Sequence, residues 1–108
     1  MIEFTIPIKT VAGLNAREHW RVRSARVKKE RTTAAMMTPA GIQLPCTVKM
    51  TRLSPGTLDD DNMQGACKAL RDGIADKIGI PDNDPRIVWL YGQETCKRGE
   101  FGVRVLIT

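Results

Sequence analysis

Between Asp59 and Gly79 the apolar residues Met63, Cys67, Leu70, Ile74 and Ile78 recur at spacings of four, three, four and four. An α-helix turns once in 3.6 residues, so these side chains share one face and the other residues face away. Gly79 is a natural stop, because glycine accepts the left-handed backbone that closes a helix. The segments on either side alternate instead. "CTVKMTRL" puts Cys46, Val48 and Met50 on one side, and "FGVRVLIT" does the same with Phe101, Val103, Val105 and Ile107. "IEFTIPIK" alternates too, with Ile2, Phe4, Ile6 and Ile8 inward. Pro7 lacks a ladder donor and predicts an edge or strand end. "IVWLYGQETC" is read as a strand joined to the last one by the turn "KRGE" in an antiparallel hairpin.

A further helix is predicted over "LNAREHWRVRSARVKKERTTAAMM", with Asn15 as N-cap and Glu18 completing a capping box. Its apolar stripe, Trp20, Val27, Ala34 and Met37, is narrow, and Trp20 is expected in the core. The order is therefore strand, helix, strand, helix, strand, strand. This predicts an α+β domain spanning residues 1–108, with a four-stranded mixed β-sheet and two helices packed on it.

The chain has 108 residues and a formal net charge of +5, unevenly placed. Residues 59–84 hold seven Asp against three Lys/Arg; the remainder holds 14 basic and five acidic residues. A basic body suits a polyanion such as nucleic acid. The first helix carries the run Arg17, Arg21, Arg23, Arg26, Lys28, Lys29 and Arg31, read either as a solvated face or as a phosphate-contacting one. Cys46, Cys67 and Cys96 are far apart, with His19 as the single histidine, so zinc is not expected and the thiols are read as small apolar groups. His19 is expected at the surface or half-buried. No apolar run approaches a membrane span and "MIEFTIPIKTV" has no signal-peptide pattern, which predicts a cytoplasmic protein without membrane attachment.

Asp59, Asp60 and Asp61 stand side by side although adjacent carboxylates repel. An EF-hand loop is excluded, since its sixth position would be Gln64 and its twelfth Leu70. Two readings stand. In one the aspartates only cap the second helix and complement its dipole. In the other Asp59 and Asp61 converge on a divalent cation while Asp60 is free to cap, with a third carboxylate from Asp82 or Asp84 in "PDNDPR". Mg²⁺ favours such hard oxygen ligands and suits phosphodiester hydrolysis. Gly65 leaves room one turn beyond Asp61. Lys68 and Asp72 lie on the same outward line and are spaced for an ion pair.

In "DDDNMQGA" followed by "DNDPRI" the chain resembles the RusA family of Holliday junction resolvases. Asp59, Asp61 and Asn62 match the family's Asp-x-Asp-Asn, Gln64 and Ala66 also fit, and Asp84 fits the later acid. The entry "LNAREHWRVR" is similar as well. The resemblance implies a homodimer that binds four-way DNA junctions and makes paired symmetric nicks with Mg²⁺ or Mn²⁺. It implies that Asp59, Asp61 and Asp84 hold the metal. The family's catalytic lysine, one turn after the second Asp, is replaced by Gly65, and Lys68, one turn further, is the candidate substitute. The basic loop before the motif is reduced to Arg52. The rival expectations are a non-cutting DNA-binding module of the same fold and a small protein-interaction domain.

Overall fold

The structure is a computed structural model that describes residues 1–10 and 20–108. It contains β1 (Ile2–Ile6), α1 (Trp20–Met37), β2 (Cys46–Ser54), α2 (Asp60–Ile78), β3 (Ile87–Thr95) and β4 (Gly102–Ile107). The predicted α+β class, mixed four-stranded sheet and element order are all present. The expected capping box at Asn15 and Glu18, with Arg17 and His19, lies outside the described residues. No helix among the described residues is long and apolar enough to cross a membrane.

The sheet order is β1-β4-β2-β3. β4 runs antiparallel to both β1 and β2, and β2 runs parallel to β3. Hence β1, β2 and β3 share one direction and β4 alone opposes them. The predicted β3–β4 hairpin is not formed, because β2 lies between these strands. The turn itself is present: the Glu100 N–H donates to the Lys97 carbonyl at 3.0 Å and Gly99 has φ 91°. It carries the chain past the end of β2, where the Cys96 N–H donates to Ser54 O at 3.2 Å. Parallel pairing of β2 and β3 needs a crossover, and α2 is the helix that supplies it.

Alternation decides which face is covered. Cys46, Val48, Met50, Ile87, Val103, Val105 and Ile107 are buried on one face, in register with Ile6. Met63, Cys67, Leu70 and Ile74 of α2 complete that core, as their spacing predicts. On the opposite face Lys49, Val88, Leu90 and Glu94 are exposed. β1 ends at Ile6, before Pro7, and is an edge strand, so both expectations for Pro7 hold. Phe101 lies before β4 and is 48% exposed instead of facing the core.

α1 departs most from its sequence reading. Trp20 is 66% exposed, and the buried positions are Glu30 and Ala34. Of its apolar stripe only Ala34 packs inward, while Trp20, Val27 and Met37 are exposed, so the helix packs through small atoms. A Cβ added to Gly73 of α2 would collide with the Arg31 carbonyl and come within 2.8 Å of the Ala34 Cβ. Two helices approach this closely only where one lacks a side chain. A tryptophan does not fit such a seam; Trp20 lies outside it with the Arg21 guanidinium 5.2 Å from its ring centroid. Since β1, β2 and β3 are parallel, α1 and α2 return over the sheet in the same sense, so their N-terminal ends lie at one end of the molecule.

Candidate nucleic-acid site at the mouth of the second helix

The N-cap of α2 is Asp59, not Asp60. Its backbone is extended (φ −69°, ψ 167°) and its Oδ1 accepts the Asn62 N–H at 2.9 Å. That bond satisfies one of the free donors at the helix start. Asp61 falls in the first turn and is exposed. Asn62, the third residue of the motif, is buried.

Residues from two strands, β2 and β3, hold this mouth in place. Arg52 of β2, only 9% exposed, donates through Nε to Thr10 Oγ1 at 2.8 Å and through Nη1 to Gly56 O at 3.0 Å. Gln93 of β3 clamps Leu58 from both sides: its Oε1 accepts the Leu58 N–H at 2.8 Å and its Nε2 donates to Leu58 O at 2.6 Å. Asp59 and Asp61 thus sit just past the C-terminal end of β2, with parallel strands on the same heading. Open sheets with parallel strands bind ligands at this end. Arg52, the remnant of an expected basic loop, is therefore a buried strut. The sequence reading missed the role of Gln93 altogether, and no local pattern marks it.

The loop acids have different partners. Asp82 Oδ2 lies 2.7 Å from Lys68 Nζ and 2.9 Å from Arg71 Nε. The Arg71 contact is an ion pair without hydrogen-bond alignment, since Nε has no hydrogen-bond partner. The Asp82 carbonyl accepts from Trp89 Nε1 at 2.7 Å and from Arg71 Nη2 at 3.2 Å. Arg71 also donates to the Tyr91 hydroxyl at 3.0 Å and stacks 4.8 Å from the Trp89 ring centroid. The Lys68 hydrogen bond, above all, holds the Asp82 carboxyl below its usual range, and Asp82 in turn raises the Lys68 ammonium. Asp84 faces away into its own turn. Its Oδ1 accepts from the Arg86 N–H at 2.9 Å and from Nε at 3.0 Å, and its Oδ2 accepts from Nη2 at 3.0 Å. This fork lowers the Asp84 carboxyl to about 2.

Asp59, Asp61 and Asp84 do not meet. Asp84 precedes Ile87, which pairs with Cys46 at the start of β2, whereas Asp59 follows the end of β2. Asp82 comes closer by folding back along α2 as far as Lys68. That residue is still seven positions from Asp61, about 10 Å at 1.5 Å per residue. Among the described residues no three Asp, Glu, His or Cys side chains gather closely enough to hold an ion. A three-carboxylate centre within one chain does not fit this arrangement. A smaller donor set does: Mg²⁺ is often held by one or two carboxylates, with substrate phosphates and water completing its shell. Asp59 and Asp61 offer that pair.

The basic residues divide. Arg31 is tied to Asp76 of α2 by a fork, Nε to Oδ2 at 2.6 Å and Nη2 to Oδ1 at 2.8 Å, so it is a helix–helix link. Arg21, Arg23, Lys28 and Lys29 are exposed, and Arg17 lies outside the described residues. Arg26 is half-buried and pairs with Glu30 at 3.0 Å. Arg23, Arg26 and Lys68 line a groove of about 280 Å³ between α1 and α2 that Gly65, Ala66 and Ala69 keep open. On α2 its lining runs from Asp72, next to the Gly73 crossing, to Gly65, one turn from Asp61.

No family model matches the chain. Among curated proteins, an uncharacterized protein of Xylella fastidiosa (strain Temecula1) is 41% identical over 81 residues, a match that takes in 63% of this chain and 51% of the relative. The chain spans about half the length of that relative.

Proposed function

We propose that this chain is a Mg²⁺-dependent endodeoxyribonuclease of the RusA type, acting on branched DNA such as four-way junctions by paired nicks from a homodimer. The observation that carries the reading is the mouth of α2. The motif Asp59-x-Asp61-Asn62 forms a capped helix start at the C-terminal end of β2, braced by Arg52 and Gln93, beside a groove lined by Arg23, Arg26 and Lys68 together with Glu30 and Asp72. Asp59 and Asp61 would hold the ion, with Mn²⁺ as a substitute. When bound, it would activate water and offset charge at the phosphodiester.

The chain's own residues supply the rest. Asp59 keeps one carboxylate oxygen on the Asn62 N–H, which fixes its rotamer. Arg23 and Arg26 face Lys68 across the groove and attract the backbone without reading bases. Arg21, Lys28 and Lys29 extend the positive face of α1. The expectation for Asp84 is replaced: its carboxylate is committed to Arg86, and Asp82 is the loop acid turned towards α2.

A second reading, a DNA-binding module that does not cut, is favoured by that same commitment of Asp84 and by Gly65 at the family's lysine position. Cleavage of a labelled four-way junction separates them. Under the nuclease reading Mg²⁺ supports nicking by the wild type, and Asp61→Asn abolishes nicking with junction affinity retained. Binding without nicking at any Mg²⁺ or Mn²⁺ concentration selects the module. Absence of salt-sensitive DNA affinity removes both.

A further inference from the structure

Lys68 has two carboxylate partners on one ammonium. Its Nζ lies 3.0 Å from Asp72 Oδ1 and 2.7 Å from Asp82 Oδ2, yet the side chain is 57% exposed. An ammonium carries three donors, so this double contact leaves one for another acceptor. With the ammonium open to water, these pairs are weakened by solvent and salt, and an incoming anion can exchange with them. Lys68 also edges the groove whose opposite wall bears Arg23 and the Arg26–Glu30 pair, while Gly65, Ala66 and Ala69 keep the floor low. Because α1 and α2 run in the same sense, that groove leads from Lys68 towards Asp61. Asp82 is moored independently of Lys68, through Trp89 Nε1 and Arg71 on its carbonyl. It stays in place when Lys68 lets go.

We propose that Lys68 is a phosphate anchor for a nucleic-acid strand lying in the α1–α2 groove, and that Asp72 and Asp82 hold its ammonium until a strand phosphate displaces them. The two aspartates therefore act as a built-in competitor that weakens binding to any strand not seated against Lys68. This rests on the nucleic-acid reading above and adds to it a residue pair that opposes binding.

The test is fluorescence anisotropy of a labelled four-way junction across a salt series, without divalent ions. Asp72→Asn and Asp82→Asn each tighten binding several-fold. Lys68→Ala weakens it and lowers the log–log salt slope by about 0.9, the loss of one phosphate contact. In the Lys68→Ala background Asp82→Asn has no further effect. Equal tightening by Asp82→Asn with and without Lys68 overturns the proposal, because the aspartate then acts only through its general field. An unchanged salt slope in Lys68→Ala overturns it too. Asp72→Asn keeps the loop moored and carries the test if Asp82→Asn melts early. Inorganic phosphate at millimolar concentration displaces the junction no more than equal ionic strength does; specific displacement would assign the anchor to free phosphate and overturn the strand. A wild type with no salt-dependent affinity removes the functional reading as well, whereas nicking lost in Asp61→Asn with Lys68→Ala neutral removes the anchor alone.

Discussion

Gly73→Ala tests the seam that sets the groove. Glycine in a helix interior costs roughly 1 kcal/mol relative to alanine, so on propensity alone this change stabilises α2 by about that much. The structure predicts the opposite sign. The added methyl would collide with the backbone carbonyl of Arg31 and sit 2.8 Å from the Ala34 Cβ. A backbone carbonyl cannot rotate aside like the end of a flexible side chain, so the helices must separate along the seam. Overpacking costs about 1–3 kcal/mol, and a collision with backbone belongs at the upper end. Subtracting the propensity gain leaves a loss of about 2 kcal/mol. For a domain of this size that lowers the melting midpoint by roughly 8–16 °C. Urea denaturation followed by circular dichroism measures it, with Gly56→Ala as control. No atom lies within 4 Å of a Cβ there, and a change within about 0.5 kcal/mol is expected. A Gly73→Ala protein as stable as the wild type would refute the close crossing and the groove geometry that depends on it.

Asp84 and the cysteines give two further tests. Asp84 is depressed to about 2 from 3.8, so its fork with Arg86 contributes fully above 3.8 and is lost as pH falls through about 2. The wild type should therefore out-melt Asp84→Asn at neutral pH, and the two melting curves should converge near pH 2; a gap that persists in acid contradicts the assignment. Burial pushes the Cys67 thiol up to about 12 and raises Cys46 as well. Iodoacetamide on the native protein at neutral pH should add one label, on half-buried Cys96, with three labels only in denaturant, as read by mass spectrometry.

What was legible in the sequence follows from how local each signal is. The α2 stripe is a periodicity within one element, and Met63, Cys67, Leu70 and Ile74 are buried as their spacing requires. Gly79 closes the helix with φ 92° for the same local reason. Strand partners are not local. "KRGE" predicts a turn and forms one, but nothing in those residues shows that β2 has entered between β3 and β4. α1 misled because its packing face is defined by what is missing: Gly73 on the facing helix makes Ala34 and Glu30 the inner positions, and Trp20 is left outside. At the site, the N-cap and the exposed Asp61 were legible, though the cap fell one residue earlier than expected. The braces Arg52 and Gln93 act across strands, and their role depends on a sheet order that local pattern does not supply.

The separation of the acids follows from the crossover itself. In a β2–α2–β3 unit with parallel strands, the helix starts past the end of β2 and returns the chain to the start of β3. Residues just before α2 and residues just before β3 therefore begin at opposite ends of the layer, and a helix of 19 residues spans about 28 Å between them. Asp84 stays at that far end. Asp82 recovers part of the distance because the loop folds back and its carbonyl is pinned by Trp89 and Arg71. To reach Asp61 it would have to travel about 10 Å further and break both moorings. The charge that bridges the gap is Lys68, with its ammonium on Asp82 and its backbone on the helix that Asp61 opens. A strand phosphate seated between Lys68 and the Asp59–Asp61 pair would meet a cation at one end and, with Mg²⁺ on the aspartates, a second cation at the other. That arrangement needs no third carboxylate at the helix mouth.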